Sequence, residues 1–229
     1  MRANDIERAR VPHVREKIAD AGEAMTIIIY SAEECPQGSP EWFQARAGCP
    51  SASRFSDVLA KGQGISRRKY MYQLAGEILT GEPMESYSNG YMERGKAQED
   101  EARQMFELLT DLPTQPVGFM TQFGAGASPD SLIGDDALLE IKTRSAHLQC
   151  EVLENYDPGK PPSENMAQAL GQVWVSGRQR VHLVSYCRGM PLARWVIERD
   201  EVYISTLAAE VARFNSELAQ MVERIRGMA

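Results

Sequence analysis

The sequence is poor in the residues that form disulfide frameworks or soft-metal sites. It has four cysteines, none paired in a CxxC spacing, and three histidines among 229 residues. This scarcity argues against a zinc site, a disulfide scaffold and a histidine-rich metal centre. We therefore expect the histidines to be structural or on the surface. The residues concerned are Cys35, Cys49, Cys150 and Cys187, with His13, His147 and His182.

The chain also lacks an apolar run long enough to cross a bilayer. Residues 26–30 (TIIIY) form a hydrophobic segment that is far too short for a membrane span or a signal peptide. We therefore expect a cytoplasmic protein. With 43% hydrophobic residues, the chain can bury one substantial core, which predicts a single domain over residues 25–229. Residues 1–24 are charged and poor in large apolar side chains, which predicts an N-terminal extension that can be flexible.

Two short segments combine carboxylates with a lysine. Residues 127–133 and 137–143 are predicted to be strands, and the sequence Gly-Asp-Asp between them is typical of a turn. Side chains alternate along a strand, so Glu140 and Lys142 leave one face, and Asp130 on the neighbouring strand can lie beside Glu140. This arrangement predicts an oxygen-rich site for a small divalent cation, with Lys142 within reach of a water or phosphate.

A surface hairpin with a salt bridge would contain the same residues. The apolar neighbours Leu138, Leu139 and Ile141 favour a buried strand instead. Charges on a buried strand cost free energy unless a metal or a partner compensates them. An exposed edge strand would escape this reasoning, so both interpretations stay open at this point.

The two segments resemble the active-site signature of the PD-(D/E)XK nuclease superfamily. Other residues match in the same order, and the whole set resembles the phage lambda-type exonucleases, also called YqaJ-like viral recombinases, from about residue 42 to the C-terminal helix. The resemblance implies a restriction-endonuclease-like α/β core, a mixed central β-sheet flanked by helices, and the order of predicted elements agrees. The further matches are Trp42, Arg46, Gly48, Ser53, Arg94, Gly95, Lys96, Glu99, Met166, Ala167 and Gln168.

The resemblance assigns roles within the hairpin. Asp130, Glu140 and the backbone carbonyl of Ile141 would bind Mg²⁺, for which Mn²⁺ can substitute. Lys142 would orient or activate the nucleophilic water. Phosphodiester hydrolysis needs such an arrangement, because it requires a hydroxide at neutral pH and a cation against the charge that develops on phosphate.

Two further catalytic assignments depend on the resemblance alone. Glu99, in a predicted helix over residues 91–109, would be an additional metal ligand, and Gln168 would position the water or the scissile phosphate. Without the resemblance, Glu99 would be interpreted as part of a solvated helix face and Gln168 as a helix-surface glutamine.

A second group matches the family's substrate-binding residues. Arg46 corresponds to the arginine that receives the 5′ phosphate, and a planar guanidinium suits bidentate phosphate binding. Ser51 and Ser53 could add hydroxyl donors, and Ser53 is also a candidate N-cap for a helix over residues 54–59. Trp42 could stack on a base at the DNA end, although packing in the core is the stronger interpretation.

The net charge of −7 is unevenly distributed. Residues 40–75 contain six basic and two acidic side chains, a net +4, whereas residues 82–111 contain three basic and eight acidic side chains, a net −5. We therefore expect DNA to approach the N-terminal half and the hairpin. Arg67, Arg68 and Lys69 would form a solvated helix face by themselves, and beside Arg46 they predict a phosphate track with salt-dependent binding.

The resemblance implies a Mg²⁺-dependent 5′-to-3′ exodeoxyribonuclease that acts on 5′-phosphorylated ends of linear double-stranded DNA. The 3′ single-stranded tails would serve phage-type recombination. The family precedent further implies a homotrimer and a possible single-strand annealing protein as partner, in a phage or prophage context within a bacterial host cell. Two alternatives stay open: a PD-(D/E)XK endonuclease or junction resolvase, and a non-catalytic DNA-end-binding protein.

Overall fold

The computed structural model describes residues 26–60, 64–84 and 90–228, except for the side chains of residues 90–97. The predicted N-terminal extension, residues 1–24, lies outside the described residues. The strands are β1 (Ile28–Ser31), β2 (Thr114–Gln122), β3 (Ala125–Ala127), β4 (Ser131–Ile133), β5 (Ala137–Thr143), β6 (Arg180–Tyr186) and β7 (Ala193–Glu198). The helices are α1 (Pro40–Arg46), α2 (Phe55–Leu59), α3 (Ile65–Thr80), α4 (Gly90–Thr110), α5 (Ala146–Glu154), α6 (Met166–Ser176) and α7 (Glu201–Arg226). Short 3-10 helices cover Ala52–Arg54 and Ser163–Asn165.

The strands form one mixed sheet in the order β1-β2-β4-β5-β6-β7, with β3 also paired to β2. β5 and β6 run parallel, and the other neighbouring strands are antiparallel. A central strand is covered on both faces, which explains why the apolar run beginning at Ala137 is buried. The mixed sheet with flanking helices confirms the predicted α/β class.

Helix α6 packs closely against the start of α2. A Cβ atom at Gly171 would lie 2.3 Å from Phe55 Cδ2, so only glycine permits this approach of α6 to the start of α2. Helix α7 completes this layer: Asp200 caps it by accepting from the amides of Val202 and Tyr203, and its apolar stripe packs against α2, α3 and α6. The position of α6 is therefore fixed from two sides.

The predicted strand over residues 127–133 is wrong in one respect, because it is divided into β3 and β4. Ser128, Pro129 and Asp130 lie between them, outside the strand ladder. Pro129 has no amide hydrogen to donate. The side chain of Gln37 bridges the interruption, since its Nε2 donates to the carbonyls of Val117 (3.1 Å) and Pro129 (2.9 Å).

The predicted N-cap role of Ser53 is also wrong. Ser53 lies inside the 3-10 helix Ala52–Arg54, and Arg54 occupies the N-cap position of α2. The hydroxyl of Ser53 is therefore not used to begin the helix. Among the helices that the structure describes, none is both long and apolar enough to span a membrane.

Candidate active site

The hairpin brings Asp130 against β5, as its sequence predicted. The Asp130 amide donates to the Leu139 carbonyl (3.0 Å), and the Asp130 carboxylate accepts from the amide of Ile141. Asp130 thus lies beside Glu140 of the neighbouring strand, although Asp130 itself comes just before β4 rather than within it. The register of the short β4–β5 pair sets this position, and the Ile141 side chain is buried.

Glu140 is the centre of a hydrogen-bonded cluster. Its Oε1 accepts from Lys142 Nζ (2.8 Å) and Gln168 Nε2 (2.6 Å), and its Oε2 accepts from Gln172 Nε2 (2.6 Å). Lys142 Nζ also donates to Gln168 Oε1 (2.9 Å). The side chain of Glu140 is 6% exposed, so these donors compensate a carboxylate that water barely reaches. We call Asp130, Glu140, Lys142, Gln168 and Gln172 the Glu140 cluster.

Gln172 is a member of the Glu140 cluster that the sequence prediction missed. It lies one helical turn after Gln168 on α6, so both amides face β5. Gln172 is 1% exposed, and a buried amide of this kind requires hydrogen-bond partners. The spacing of two glutamines four residues apart in an otherwise apolar helix was the available signal.

Helix α4 brings Glu99 to the same side of the hairpin. Glu99 Oε1 accepts from Arg103 Nη2 (2.9 Å), while Arg103 Nε donates to the hydroxyl of Ser131 at the start of β4 (2.9 Å). Arg103 also pairs with Asp100. Arg103, which the sequence prediction did not single out, therefore fastens α4 to the hairpin and holds Glu99 beside it.

The carboxylates act on one another electrostatically. Burial raises the pKa of Asp130 well above its ordinary value, and the charges of Glu140 and Glu99 raise it further. Burial also raises the pKa of Glu99, against the opposing effect of Arg103. For Lys142, burial alone would lower the pKa, but the charge and hydrogen bond of Glu140 outweigh it and the pKa is raised. Lys142 is therefore held as a cation and acts here as a donor.

The carboxylate oxygens of this site suit a hard divalent cation as ligands. In the part of the chain that is described, no three histidine, cysteine, aspartate or glutamate side chains are gathered as a ready ligand set. Asp130, Glu140 and Glu99 carry like charges that repel one another, and a bound cation would relieve this repulsion. Carboxylate oxygens are also the ligands that suit Mg²⁺ and Mn²⁺. The Ile141 carbonyl remains a predicted ligand.

A second polar group lies at the end of α1 and in the segment that follows this helix. Arg46 Nη2 donates to the hydroxyls of Ser51 (3.1 Å) and Ser53 (3.5 Å). These three residues are the ones predicted to bind phosphate. We call them the Arg46 pocket. The amide of Ser51 donates to the Tyr70 hydroxyl (3.0 Å), which fixes the loop. Among the residues whose side chains are described, no carboxylate pairs with Arg46, so the pocket keeps its positive charge.

Trp42 connects the two groups. The guanidinium carbon of Arg46 lies 4.0 Å from the Trp42 ring centroid, and Trp42 Nε1 donates to the hydroxyl of Ser128 (2.8 Å), two residues before Asp130. One face of the indole is therefore covered by Arg46. Stacking of Trp42 on a DNA base stays a prediction, and it would have to use the opposite face.

The predicted basic track is wrong for one of its members. Arg67 is buried, donates to Glu217 (2.6 Å) and lies over the ring of Phe214. Arg68 and Lys69 are exposed. The reason is helical geometry, because consecutive residues of α3 point in directions about 100° apart. Three basic residues in a row therefore cannot share one surface.

Comparisons with known proteins agree with this arrangement. The profile of the YqaJ-like viral recombinase domain matches residues 41–179. The chain is similar to the alkaline exonuclease LHK-Exo from Laribacter hongkongensis, with 34% identity and a TM-score of 0.74 over 83% of this chain and 97% of that chain. LHK-Exo in complex with dAMP gives 35% identity and a TM-score of 0.75 over the same shares.

A phage-related exonuclease from Haemophilus somnus shares the fold at only 10% identity. Its TM-score is 0.60, over 77% of this chain and 96% of that chain. A search of curated protein sequences finds no match. The structural neighbours confirm the predicted nuclease-type α/β fold.

Proposed function

Because this chain belongs to the YqaJ-like viral recombinase family, as its sequence predicted, we propose that it is a divalent-metal-dependent 5′-to-3′ exodeoxyribonuclease. Its substrate would be linear double-stranded DNA, and its product a 3′ single-stranded tail for phage-type recombination. The neighbours support the coarser activity, that of an alkaline exonuclease-like nuclease. The polarity, metal and biological role are our proposal.

The observation that carries the proposal is the composition of the Glu140 cluster and its link to the Arg46 pocket. A buried carboxylate, a second carboxylate on the adjacent segment and a held ammonium meet in one place. A guanidinium with two hydroxyls, suited to a terminal phosphate, is joined to it through Trp42 and Ser128. A Glu140–Lys142 pair that served only as a structural salt bridge would not require the Arg46 pocket beside it.

Within the site, the chain's own residues divide the work of hydrolysis. Asp130, Glu140, Glu99 and the Ile141 carbonyl would hold Mg²⁺, for which Mn²⁺ can substitute. The bound cation would polarise the phosphodiester and lower the pKa of the attacking water. Lys142 would donate to that water or to a phosphate oxygen.

Gln168 completes the assignment. Its amide contacts both Glu140 and Lys142, so it can fix the distance between the carboxylate and the ammonium. In the proposed reaction it would position the water or the scissile phosphate. A side-chain amide does not ionise near neutral pH, so Gln168 would orient its partners rather than transfer a proton.

Direction would come from the Arg46 pocket. Arg46, Ser51 and Ser53 would receive the 5′ phosphate of the degraded strand and thereby place the first phosphodiester at the Glu140 cluster. The neighbouring LHK-Exo is described in complex with dAMP, a deoxynucleoside monophosphate. That ligand class is the product expected if this chain releases one nucleotide at a time.

We also propose that the protein is a homotrimer that works with a single-strand annealing protein. Its setting would be the cytoplasm of a bacterial host, in a phage or prophage context. Membership of the family supports these assignments. The annealing partner has a further reason, because resection by itself leaves single strands that a recombination reaction must anneal. Size-exclusion chromatography with light scattering tests the trimer directly.

The test of function is time-resolved digestion of linear duplex DNA that is labelled at its 5′ or 3′ ends and carries 5′ phosphate or hydroxyl. A closed circle and EDTA serve as controls. We expect Mg²⁺-dependent loss of 5′ label from phosphorylated ends, with the circle intact. Nicking of the circle would favour an endonuclease or junction resolvase, and binding without cleavage would favour a DNA-end-binding protein.

A further inference from the structure

The face of β5 that carries the Glu140 cluster continues past Lys142. Residues two apart on a strand share a face, so Glu140, Lys142 and Arg144 follow one another at intervals of about 7 Å. The strand geometry reaches Arg144, because its amide donates to the Tyr186 carbonyl of β6 (2.8 Å). Arg144 is therefore the next cation beyond Lys142 on the same side of the sheet.

A buried network fixes the orientation of Arg144. Arg144 Nε donates to the Ser185 hydroxyl (3.0 Å), which in turn donates to Gln149 Oε1 (2.7 Å). Gln149 is fully buried, and its Nε2 donates to the carbonyls of Ser185 (3.2 Å) and Pro191 (2.9 Å). Every link of this network is hydrogen-bonded, so it constrains the arginine without depending on solvent.

The Arg144 guanidinium is held without a neutralising acid among the described side chains. Among side chains that the structure describes, no carboxylate pairs with Arg144, and its two terminal nitrogens have no hydrogen-bond partner. Two arginines elsewhere in the chain show the contrast: Arg103 pairs with Glu99, and Arg188 pairs with Glu101. The network uses one of the five N–H groups of Arg144 and leaves the fork that matches phosphate geometry.

From this arrangement we propose that Arg144 binds a backbone phosphate of the DNA strand, adjacent to the phosphate that lies at the Glu140 cluster. This inference rests on the proposed nuclease function and adds a substrate-binding residue to it. Ser185 and Gln149 are positioning residues in this scheme, because they act only through Arg144. A backbone contact of this kind serves affinity and register rather than base recognition.

The alternative is that Arg144 merely joins β5 to β6 through Ser185. The two roles differ in their response to salt, since a protein that neutralises a phosphate releases counterions and a structural hydrogen bond does not. Salt dependence of DNA binding therefore separates them. Thermal stability measures the structural contribution independently.

The experiment compares Arg144→Gln with the parent and with Arg224→Gln, which removes the same charge from an exposed position on α7. Binding of a 5′-phosphorylated duplex is measured in EDTA across a series of KCl concentrations. We expect Arg144→Gln to bind roughly tenfold more weakly, the effect of losing one charge-assisted hydrogen bond. Its slope of log K against log salt should be reduced by about 1, and Arg224→Gln should match the parent.

Parent-like affinity and slope for Arg144→Gln would overturn the inference. If that variant unfolds, Arg144→Lys decides: it keeps the charge but lacks the fork, so we expect weaker binding at an unchanged slope, and parent-like binding would contradict the fork contact. Failure of the proposed function has a different signature, because the parent itself would then fail to degrade linear duplex DNA from its 5′ ends, whatever the variants bind.

Discussion

Replacing Gln172 by leucine should separate the stability of the fold from the chemistry of the Glu140 cluster. The substitution replaces the amide by an apolar group of similar volume and removes the 2.6 Å donor to Glu140 Oε2. Glu140 Oε1 keeps its bonds from Lys142 and Gln168. The carboxylate is then held from one side only and can rotate.

Two opposing contributions set the stability change. Losing a hydrogen bond to a buried carboxylate costs about 1.5–3 kcal/mol in free energy of unfolding. Gln172 Oε1 is itself buried without a partner among the described residues, and removing an unsatisfied group of this kind returns about 1–3 kcal/mol. The two largely offset each other, so we expect the variant to be less stable by less than about 2 kcal/mol.

The effect on the site should be larger. Partners that orient a ligating carboxylate typically contribute 10- to 100-fold to metal affinity or activity. We therefore expect Gln172→Leu to raise the Mg²⁺ concentration for half-maximal cleavage at least roughly tenfold. Titration calorimetry with Mg²⁺ measures the affinity without cleavage, and urea unfolding in EDTA measures stability.

A matched control removes a comparable bond elsewhere. Gln73 Nε2 donates to Glu77 Oε1 (3.0 Å) on α3, so Gln73→Leu breaks a glutamine–glutamate pair outside the Glu140 cluster. It should leave the Mg²⁺ requirement unchanged. A folded Gln172→Leu variant with parent-like Mg²⁺ affinity and cleavage would refute the orienting role.

Three further predictions use other residues. Asp130→Asn should reduce cleavage below detection while DNA binding in EDTA stays within about twofold of the parent, because it removes a carboxylate and keeps the shape; retained cleavage would exclude Asp130 from the site. Arg46→Ala should abolish the preference for phosphorylated over hydroxyl 5′ ends more than it lowers cleavage, and equal use of both ends by the parent would contradict the Arg46 pocket. Burial lowers the pKa of His182 to about 4, with further lowering by Arg194 and Arg180. Because the folded pKa lies below the ordinary value near 6.5, the stability due to neutral His182 is complete above that pH and is lost as pH falls toward 4. His182→Gln should therefore lose about 2 kcal/mol less of its free energy of unfolding than the parent over that pH range, as measured by urea unfolding. An identical pH profile for variant and parent would contradict the role of His182.

The fold class was predictable because its signals are local. Alternation of apolar and polar residues identified β5 with its observed bounds, and the turn at Gly134 followed from composition. The interruption at Pro129 was readable in principle, since proline cannot donate to a ladder. Its repair by Gln37, more than 90 residues away in sequence, was not.

The candidate site divides in the same way. The spacing of Asp130, Glu140 and Lys142 indicated their proximity, because two adjacent strands and a short turn determine it. Gln172, Arg103 and Arg144 were not predicted because each has a partner on another element, respectively Glu140, Ser131 and Ser185. A helix-surface residue and a residue that faces a buried carboxylate look alike in sequence.

The sequence by itself determined the elements, the acidic hairpin and the family to which the chain belongs, since these depend on short-range periodicity and motif spacing. Only the tertiary structure decided which charges are buried and which donors meet them. It turned Arg67 inward onto Glu217, left Arg46 without an acid among the described side chains, and set α6 close enough for two glutamines to hold Glu140. The physical reason is that burial and pairing of charge depend on how separate elements pack, and long-range packing is not encoded in any single segment.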